Sequence, residues 1–355
     1  MNSPAERVQQ TTPKQGRSNR KRTNMAAVAA AAGVSTGTVS NVLNYPERVS
    51  EQTTKSVLEA MQRVGFVRNS QAASLVSGRS ELVGFVLADL RDSLYGDMVE
   101  GALGASADTK IKLLLANALA DTERQNDFIR VFQEMHTAGI LLSPMSGTAA
   151  DLERARTVDS PMVLLNYRDE SISCCTVLTR NEQHGALAAR HLIEQGCTRI
   201  AYVAHTYDFQ PVSDRWRGVE RAVAEHPGVT LSQIDPGGHL FEDGYELGRR
   251  LLADPGDRPD GIVAVTDALG NGILEALCDD GSVDVPGEMA VVGCEGDRNV
   301  ERSRIPLTTA NHQGLEMGRQ AWLRLQDEIA NPDTHVHSTL YIEPSFSARK
   351  SSLRR

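Results

Sequence analysis

Thr36, Ser40 and Asn41, with Gly37 among them, fall at helical spacing within TGTVSNVLN. On a helix these positions share one exposed face. A carboxamide such as Asn41 presents a donor and an acceptor side by side, the pattern that pairs with a base edge in a major groove, and short hydroxyls reach bases or phosphates. This set is suited to recognition and makes or breaks no bond. Bond-making motifs are missing: there is no G-x-S-x-G, no HExxH and no phosphate loop, and the adjacent Asp279 and Asp280 diverge at a helix end. The five cysteines (Cys174, Cys175, Cys197, Cys278, Cys294) are odd in number and form no CxxC pair or metal-ligand spacing, so they read as free thiols of a reducing compartment. No enzyme activity, metal or cofactor is expected.

Three short helices must position this set. Asn24 can cap a helix over residues 25–32 that stops at Gly33, and Ser35 can cap a second over 36–43. Ser50 caps a third from Glu51 to Val64, with Val57, Leu58, Met61 and Val64 on its inner face and Gly65 at its end. The small Ala29 allows close approach of the first two helices and Gly33 permits a left-handed turn between them, which makes a helix-turn-helix. The second helix then shows Thr36, Gly37, Ser40 and Asn41 outward, with Asn41 for a base edge and Thr38, Ser40 and Asn44 for phosphates.

Charge supports a polyanionic partner. Residues 1–80 carry 11 Lys/Arg against 4 Asp/Glu, a net of +7, whereas residues 81–355 carry 26 against 42, a net of −16. A basic head on an acidic body directs contact with nucleic acid to the head alone. Residues 1–22, polar and basic with little to bury, read as a disordered arm. Arg20–Arg22 before MAAVAAAA superficially resembles a secretion signal, but alanine is a weak membrane partner and the helix-turn-helix explains the run better. No window approaches 18 consecutive apolar residues, so no membrane span is expected.

From Glu81 apolar runs alternate with amphipathic stretches. LVGFVLADL, KLLLANA, GILLSP, MVLLNY, CTVLT, RIAYVA, GIVAVTD and MAVVGC read as buried strands, with helices near 97–108, 122–137, 182–195, 214–226, 242–253 and 267–280. The alternation implies parallel sheets covered on both faces, and two α/β lobes suit the spacing better than one barrel.

GVSTGTVSNVLN, RVSEQT and GFVRNSQAASL, followed by HLIEQGCTRIAYV, DRWRGV, VTDALGNGILEAL, VPGEMAVVG and PLTT, occur in that order. Together they resemble the LacI/GalR family of bacterial transcription regulators from about Asn24 to Phe346. The resemblance implies an all-α helix-turn-helix head (23–68), a hinge (69–80), and a two-lobed periplasmic-binding-protein-like effector and dimerisation domain (81–346), leaving 347–355 as a tail. It also implies a cytoplasmic homodimer on palindromic double-stranded operator DNA, controlled by a sugar or related small effector. The family's DNA contacts fall on Asn24, Ser35, Thr36, Gly37, Thr38, Ser40, Asn41, Asn44, Ser50, Thr53 and Asn69, and on Leu75, which matches the leucine wedged into the minor groove. Its effector contacts fall on Asp89, Tyr95, Asn166, Thr266 and Glu295 and on Arg215 in DRWRGV, whose planar fork of donors can hold two ligand oxygens at once, and His239 and Phe241 could add an apolar wall or stacking platform.

Departures from the family pattern are Arg68 for a frequent Pro, Ala73 for Arg, and Asn166, Thr266-Asp267, Cys294-Glu295 and Arg180 where sugar-sensing relatives place other residues. Fewer short carboxylates and an added cation are therefore expected in the cleft. The competing interpretation is an exported solute-binding protein of the same two-lobed fold, against which the helix-turn-helix and hinge stand.

Overall fold

The computed structural model describes residues 23–67, 80–145, 152 and 160–354. They divide into two compact units, with the boundary after Val76. The arm, residues 68–79 of the hinge region, and with them Arg68, Asn69, Ala73 and Leu75, lie outside the described residues.

The head contains α1 (Met25–Ala32), α2 (Thr36–Asn44) and α3 (Glu51–Val64). Each starts on the expected cap, with Asn24, Ser35 and Ser50 accepting from the backbone amides of Ala27, Thr38 and Thr53. Gly33 (φ 70°) and Gly65 (φ 66°) end α1 and α3 in the left-handed region that a side chain resists. The chain turns through 103° between α1 and α2, a helix-turn-helix angle. Val28, Ala29, Val39, Val42, Val57 and Ala60 form the core. Leu58, expected inside, is instead 48% exposed. One residue is about 100° of helical rotation, so a face centred on Val57, Ala60 and Val64 turns Leu58 to the flank.

The body contains two six-stranded sheets. The first has the order β11-β5-β4-β3-β1-β2 and is built from β1 (Leu82–Leu87), β2 (Lys112–Asn117), β3 (Gly139–Leu142), β4 (Met162–Leu165), β5 (Cys175–Thr179) and β11 (Thr339–Ile342). The second, β12-β10-β9-β8-β6-β7, uses β6 (Arg199–Val203), β7 (Thr230–Ile234), β8 (Gly261–Ala264), β9 (Ala290–Gly293), β10 (Thr308–Asn311) and β12 (Ser345–Ser347). All pairings are parallel except β10 with β12. Covering helices are α4 (Ser93–Ser106), α5 (Thr122–Glu134), α6 (Asn181–Glu194), α7 (Gln210–Ala224), α8 (Phe241–Ala253), α9 (Asp267–Asp280) and α10 (Gly314–Ala330). No single helix among the described residues is long and apolar enough to cross a bilayer.

The chain passes between lobes three times: at Arg180 after β5, at His312–Gln313 after β10, and between β11 and β12. Each lobe is therefore assembled from separated stretches. Residues 347–354, set apart as a tail in the sequence reading, belong to the second lobe. Ser351 and Ser352 are fully buried, the Ser351 carbonyl accepts from Val291 N, and the Arg354 guanidinium donates to the Pro286 and Asp260 carbonyls. The polar Ser hydroxyls are accommodated because Val291 O and Thr308 pair with them.

Three helix pairs, α4 with α10, α6 with α7 and α8 with α9, make the densest interhelix contacts in the body. At the α6–α7 crossing an added Cβ on Gly185 would overlap the Arg215 carbonyl, and one on Gly218 would overlap the Glu182 carbonyl. Two bare backbones thus touch, and this contact sets the position of Arg215. Gly185→Ala should push α7 away from α6 and destabilise the body by about 1–3 kcal/mol, read as a lowered urea midpoint at unchanged m; a midpoint equal to wild type would show that the crossing tolerates a methyl group.

Candidate effector cleft and DNA-reading helix

The strand orders reverse at β1, flanked by β2 and β3, and at β6, flanked by β7 and β8. A crevice opens at the strand C-termini beside such reversals. The segments that leave β1, β4, β8 and β9 there carry Asp89–Tyr95, Asn166, Thr266 and Glu295, while α7 brings in Arg215.

Arg215 is 4% exposed. One terminal nitrogen, Nη1, donates to the Val265 carbonyl at 2.7 Å, and Nε has no partner among the described residues. Its charge acts on carboxyl groups from both lobes. Asp92, from the first lobe, caps α4 through Leu94 N at 2.9 Å, and its carboxyl hydrogen-bonds the Glu295 carboxyl of the second. Such a pair needs a shared proton. Burial, and then the facing Asp92 charge, push Glu295 well above the usual carboxylate range. Asp267 accepts from Thr309 Oγ1 and from the amides of Glu295, Gly296 and Asp297, yet burial outweighs these bonds and lifts it to about 6. Glu295 Oε2 returns the contact by accepting from Asp267 N at 2.9 Å.

The other expected residues surround this centre. Tyr95 is buried, and burial raises its phenol pKa. Asn166 holds a left-handed backbone (φ 54°), and its Oδ1 accepts from Asn181 Nδ2 at 3.0 Å. Asn166 Nδ2 and Asn181 Oδ1 are buried without partners among the described residues. Thr266 caps α9 and donates to the His239 carbonyl at 2.9 Å. Asp89 is engaged by the Arg91 fork; burial works to raise its pKa, but the Arg91 hydrogen bonds and charge hold it below the usual range. His239 Nε2 lies 3.6 Å from Asp89 Oδ2.

Two expectations need correction. Arg180, read as an added cleft cation, ion-pairs with Glu343 at 2.6 Å and lies over the Tyr341 ring, because its place at the first crossing puts it beside the third. The centre is also not poor in carboxyl groups, since Asp92 and Asp267 join Glu295. Asp92 was hidden in sequence as one more acidic residue of a loop; its place before Ser93, as a helix cap after a strand, was the available signal. Phe241, offered as a stacking platform, is 41% exposed with its ring beside Tyr245. Beneath the centre, unflagged by the sequence, His184 and His312 stack with ring centroids 4.2 Å apart. Burial first, with the Arg215 charge adding to it, holds both imidazoles well below 6.5, so they are neutral.

In the head, Thr36, Gly37, Asn41 and Asn44 of α2 are exposed, and Thr38 and Ser40 are half-buried. Ser35 Oγ pairs with Thr38 Oγ1 and Ser50 Oγ with Thr53 Oγ1, each at 2.9 Å, and Asn44 Nδ2 donates to Ser40 Oγ at 3.3 Å. Asn24 is engaged as a cap.

Residues 24–69 match the family described as bacterial regulatory proteins, lacI family, and residues 189–352 match a periplasmic binding protein-like domain. The transcriptional regulator GalR of Salmonella typhimurium (strain LT2) is 30% identical over 317 residues, covering 88% of this chain and 92% of its own. The chain belongs to the LacI family of bacterial transcription regulators. A lac repressor dimer bound to operator and the anti-inducer ONPF superposes with a TM-score of 0.79 at 20% identity, covering 94% of this chain and 100% of that one. The transcriptional regulator CelR in complex with cellobiose gives 0.66 at 26% identity, covering 93% and 100%. This LacI-family chain thus joins a DNA-binding head to an effector domain, and the solute-binding alternative is set aside.

The shared proton gives the cleft a pH dependence. Carboxyl groups whose folded pKa is raised contribute stability that is complete below the usual carboxylate range and lost as pH rises through the folded value. Ligand-free protein should therefore melt at a lower temperature as pH climbs through about 6, the value of Asp267, and through that of Glu295. Glu295→Gln should flatten part of that slope in thermal unfolding across pH, and an unaltered slope would remove the pair as its source.

Proposed function

We propose that the chain is a cytoplasmic repressor that binds two operator half-sites as a homodimer, and that a small polyhydroxylated, sugar-like molecule between the lobes changes its operator affinity. The reading is supported chiefly by Arg215, a buried guanidinium with one donor unpaired among the described residues, beside a proton-sharing carboxyl pair. Ligand hydroxyls both donate and accept, and so can satisfy carboxyl, carboxamide and guanidinium groups together. Asp89, Tyr95, Asn166, His239, Thr266 and Glu295 would supply the remaining contacts. CelR, a regulator of the same fold, is known in complex with cellobiose. The protein would act by binding and not by catalysis, as its relatives are named transcription regulators.

One nine-residue recognition helix reads few base pairs, and two-fold symmetry supplies the second half-site. Within α2, Asn41 would read a base edge, Thr36 and Gly37 would set the approach, and Thr38, Ser40 and Asn44 would meet phosphates. The hinge residues Asn69 and Leu75 would complete the contact.

A thermal-shift screen of sugars, nucleosides and small acids should find a stabilising ligand whose effect Arg215→Ala abolishes, with operator binding retained. Linkage requires operator DNA to change the ligand's affinity by the same factor as the ligand changes that of DNA. Unchanged ligand binding by Arg215→Ala would defeat the assignment. Asn41→Ala should cost about 1–3 kcal/mol at one operator position and little elsewhere, measured by binding to single-base operator variants; a uniform loss would make Asn41 a phosphate contact.

A further inference from the structure

We propose a transition-metal site in the first lobe, remote from the cleft, formed by Glu328, His335 and His337, with the Cys175 thiol beside His335 as the candidate fourth ligand. Cys175 opens β5 and Thr339 opens β11, so the cluster lies at the N-terminal ends of strands whose C-terminal ends face the cleft. A five-residue strand separates the two sites by roughly 16 Å. Ligand atoms of Glu328, His335 and His337 all lie within 4.8 Å of one another.

The individual contacts have the character of a coordination shell. His337 Nε2 is 3.2 Å from Glu328 Oε1, while Glu328 Oε2 is buried with no hydrogen-bond partner among the described residues. A buried carboxylate oxygen left without a donor is costly, and a cation would satisfy it. On the inner side the fully buried Cys175 Sγ lies 3.3 Å from His335 Nε2. The far nitrogen of each imidazole is also held: His335 Nδ1 lies 2.7 Å from Asp327 Oδ2, and His337 Nδ1 lies 2.9 Å from Ser173 Oγ. An outer carboxylate or hydroxyl that fixes the ring in this way is the usual support of a metal-bound histidine. Val336, between the two histidines, is 81% exposed and leaves both rings to the cluster.

Two imidazole nitrogens and one carboxylate oxygen, with a thiol beside one imidazole to complete a tetrahedron, suit Zn²⁺ and are too soft a set for Mg²⁺ or Ca²⁺. A bound ion would tie the C-terminal end of α10 and the connection that follows it to the start of β5. That connection leads into β11, the edge strand that carries the chain to its third crossing. Cysteine spacing carries no sign of such a set, because its residues come from a helix end, a connecting segment and a strand start.

The test uses the full-length, tag-free protein after chelator treatment. Zn²⁺ should bind at one ion per chain and raise the melting temperature, and Co²⁺ should give tetrahedral absorption bands with a thiolate charge-transfer band. The His335→Ala/His337→Ala double variant should lose the binding while still binding operator DNA, which reports that it is folded. Asp327→Asn should weaken binding about 10–100-fold. Cys175→Ser should bind Co²⁺ more weakly and without the charge-transfer band. The site is overturned if wild type binds no Zn²⁺ or if the double variant binds it equally well; a Co²⁺ spectrum lacking the thiolate band overturns the four-ligand set.

Discussion

A guanidinium cannot give up its charge, and burying one obliges the surrounding structure to answer it. Arg215 is that charge here. Its α7 is pressed onto α6 through Gly185 and Gly218, so the side chain has little freedom to retreat to water. The Val265 carbonyl, the Asp92–Glu295 pair and the neutral His184–His312 stack are arranged around it. Neutral imidazoles are what the site requires, since a second buried cation would repel the first. The shared proton has a similar origin: full ionisation of Asp92, Glu295 and Asp267 would place more negative charge inside than one guanidinium can balance.

The same charge links the lobes. Asp92 belongs to the first lobe and Glu295 to the second, and two surface contacts repeat the pattern. Arg298 bridges to Asp97 and Glu100, and His239 approaches Asp89. The three crossings are themselves tied, since Arg180 pairs with Glu343 and Thr179 donates to the Ile342 carbonyl, while Gln313 donates to Ser345. A small rotation at these crossings would change every interlobe contact together. Packed interfaces switch between discrete arrangements instead of deforming continuously, which is how a ligand of modest size can move two lobes as bodies.

Much of this is legible in the sequence. The head was readable because capping is local: Asn24, Ser35 and Ser50, with Gly33 and Gly65, mark helix ends within a few residues. Buried parallel strands announce themselves as apolar runs, and eight were visible. The strands that were missed carry weaker patterns. β7 (TLSQI) is a half-exposed edge, β10 (TTAN) buries threonines instead of aliphatic residues, β11 (TLYI) is a four-residue edge strand with none of its residues buried, and β12 is three residues long. The helix α10 and the three crossings escaped because they depend on contacts between residues far apart in the chain. Arg215 and Glu295 were found through resemblance, whereas Asp92, His184 and His312 become meaningful only when two lobes face each other. Arg180 shows the opposite error: a charge beside the cleft in sequence is spent on the crossing.

The division of charge along the chain adds a constraint on how control can operate. The first 80 residues are net +7 and the rest net −16, so long-range attraction to DNA belongs to the head while the effector domain opposes it. Attraction of this kind is screened by salt and carries little sequence information. Discrimination then falls to base-edge contacts, proposed here for α2, which are short in range and strict in geometry. An effector need not alter the head's charge or its fold to change operator affinity. It needs only a different free energy of binding to two arrangements of the lobes, because a ligand that binds both equally well shifts neither. In a cleft already joined by Asp92 and Glu295, a ligand that on the proposed reading replaces their contact in one arrangement only would supply that difference.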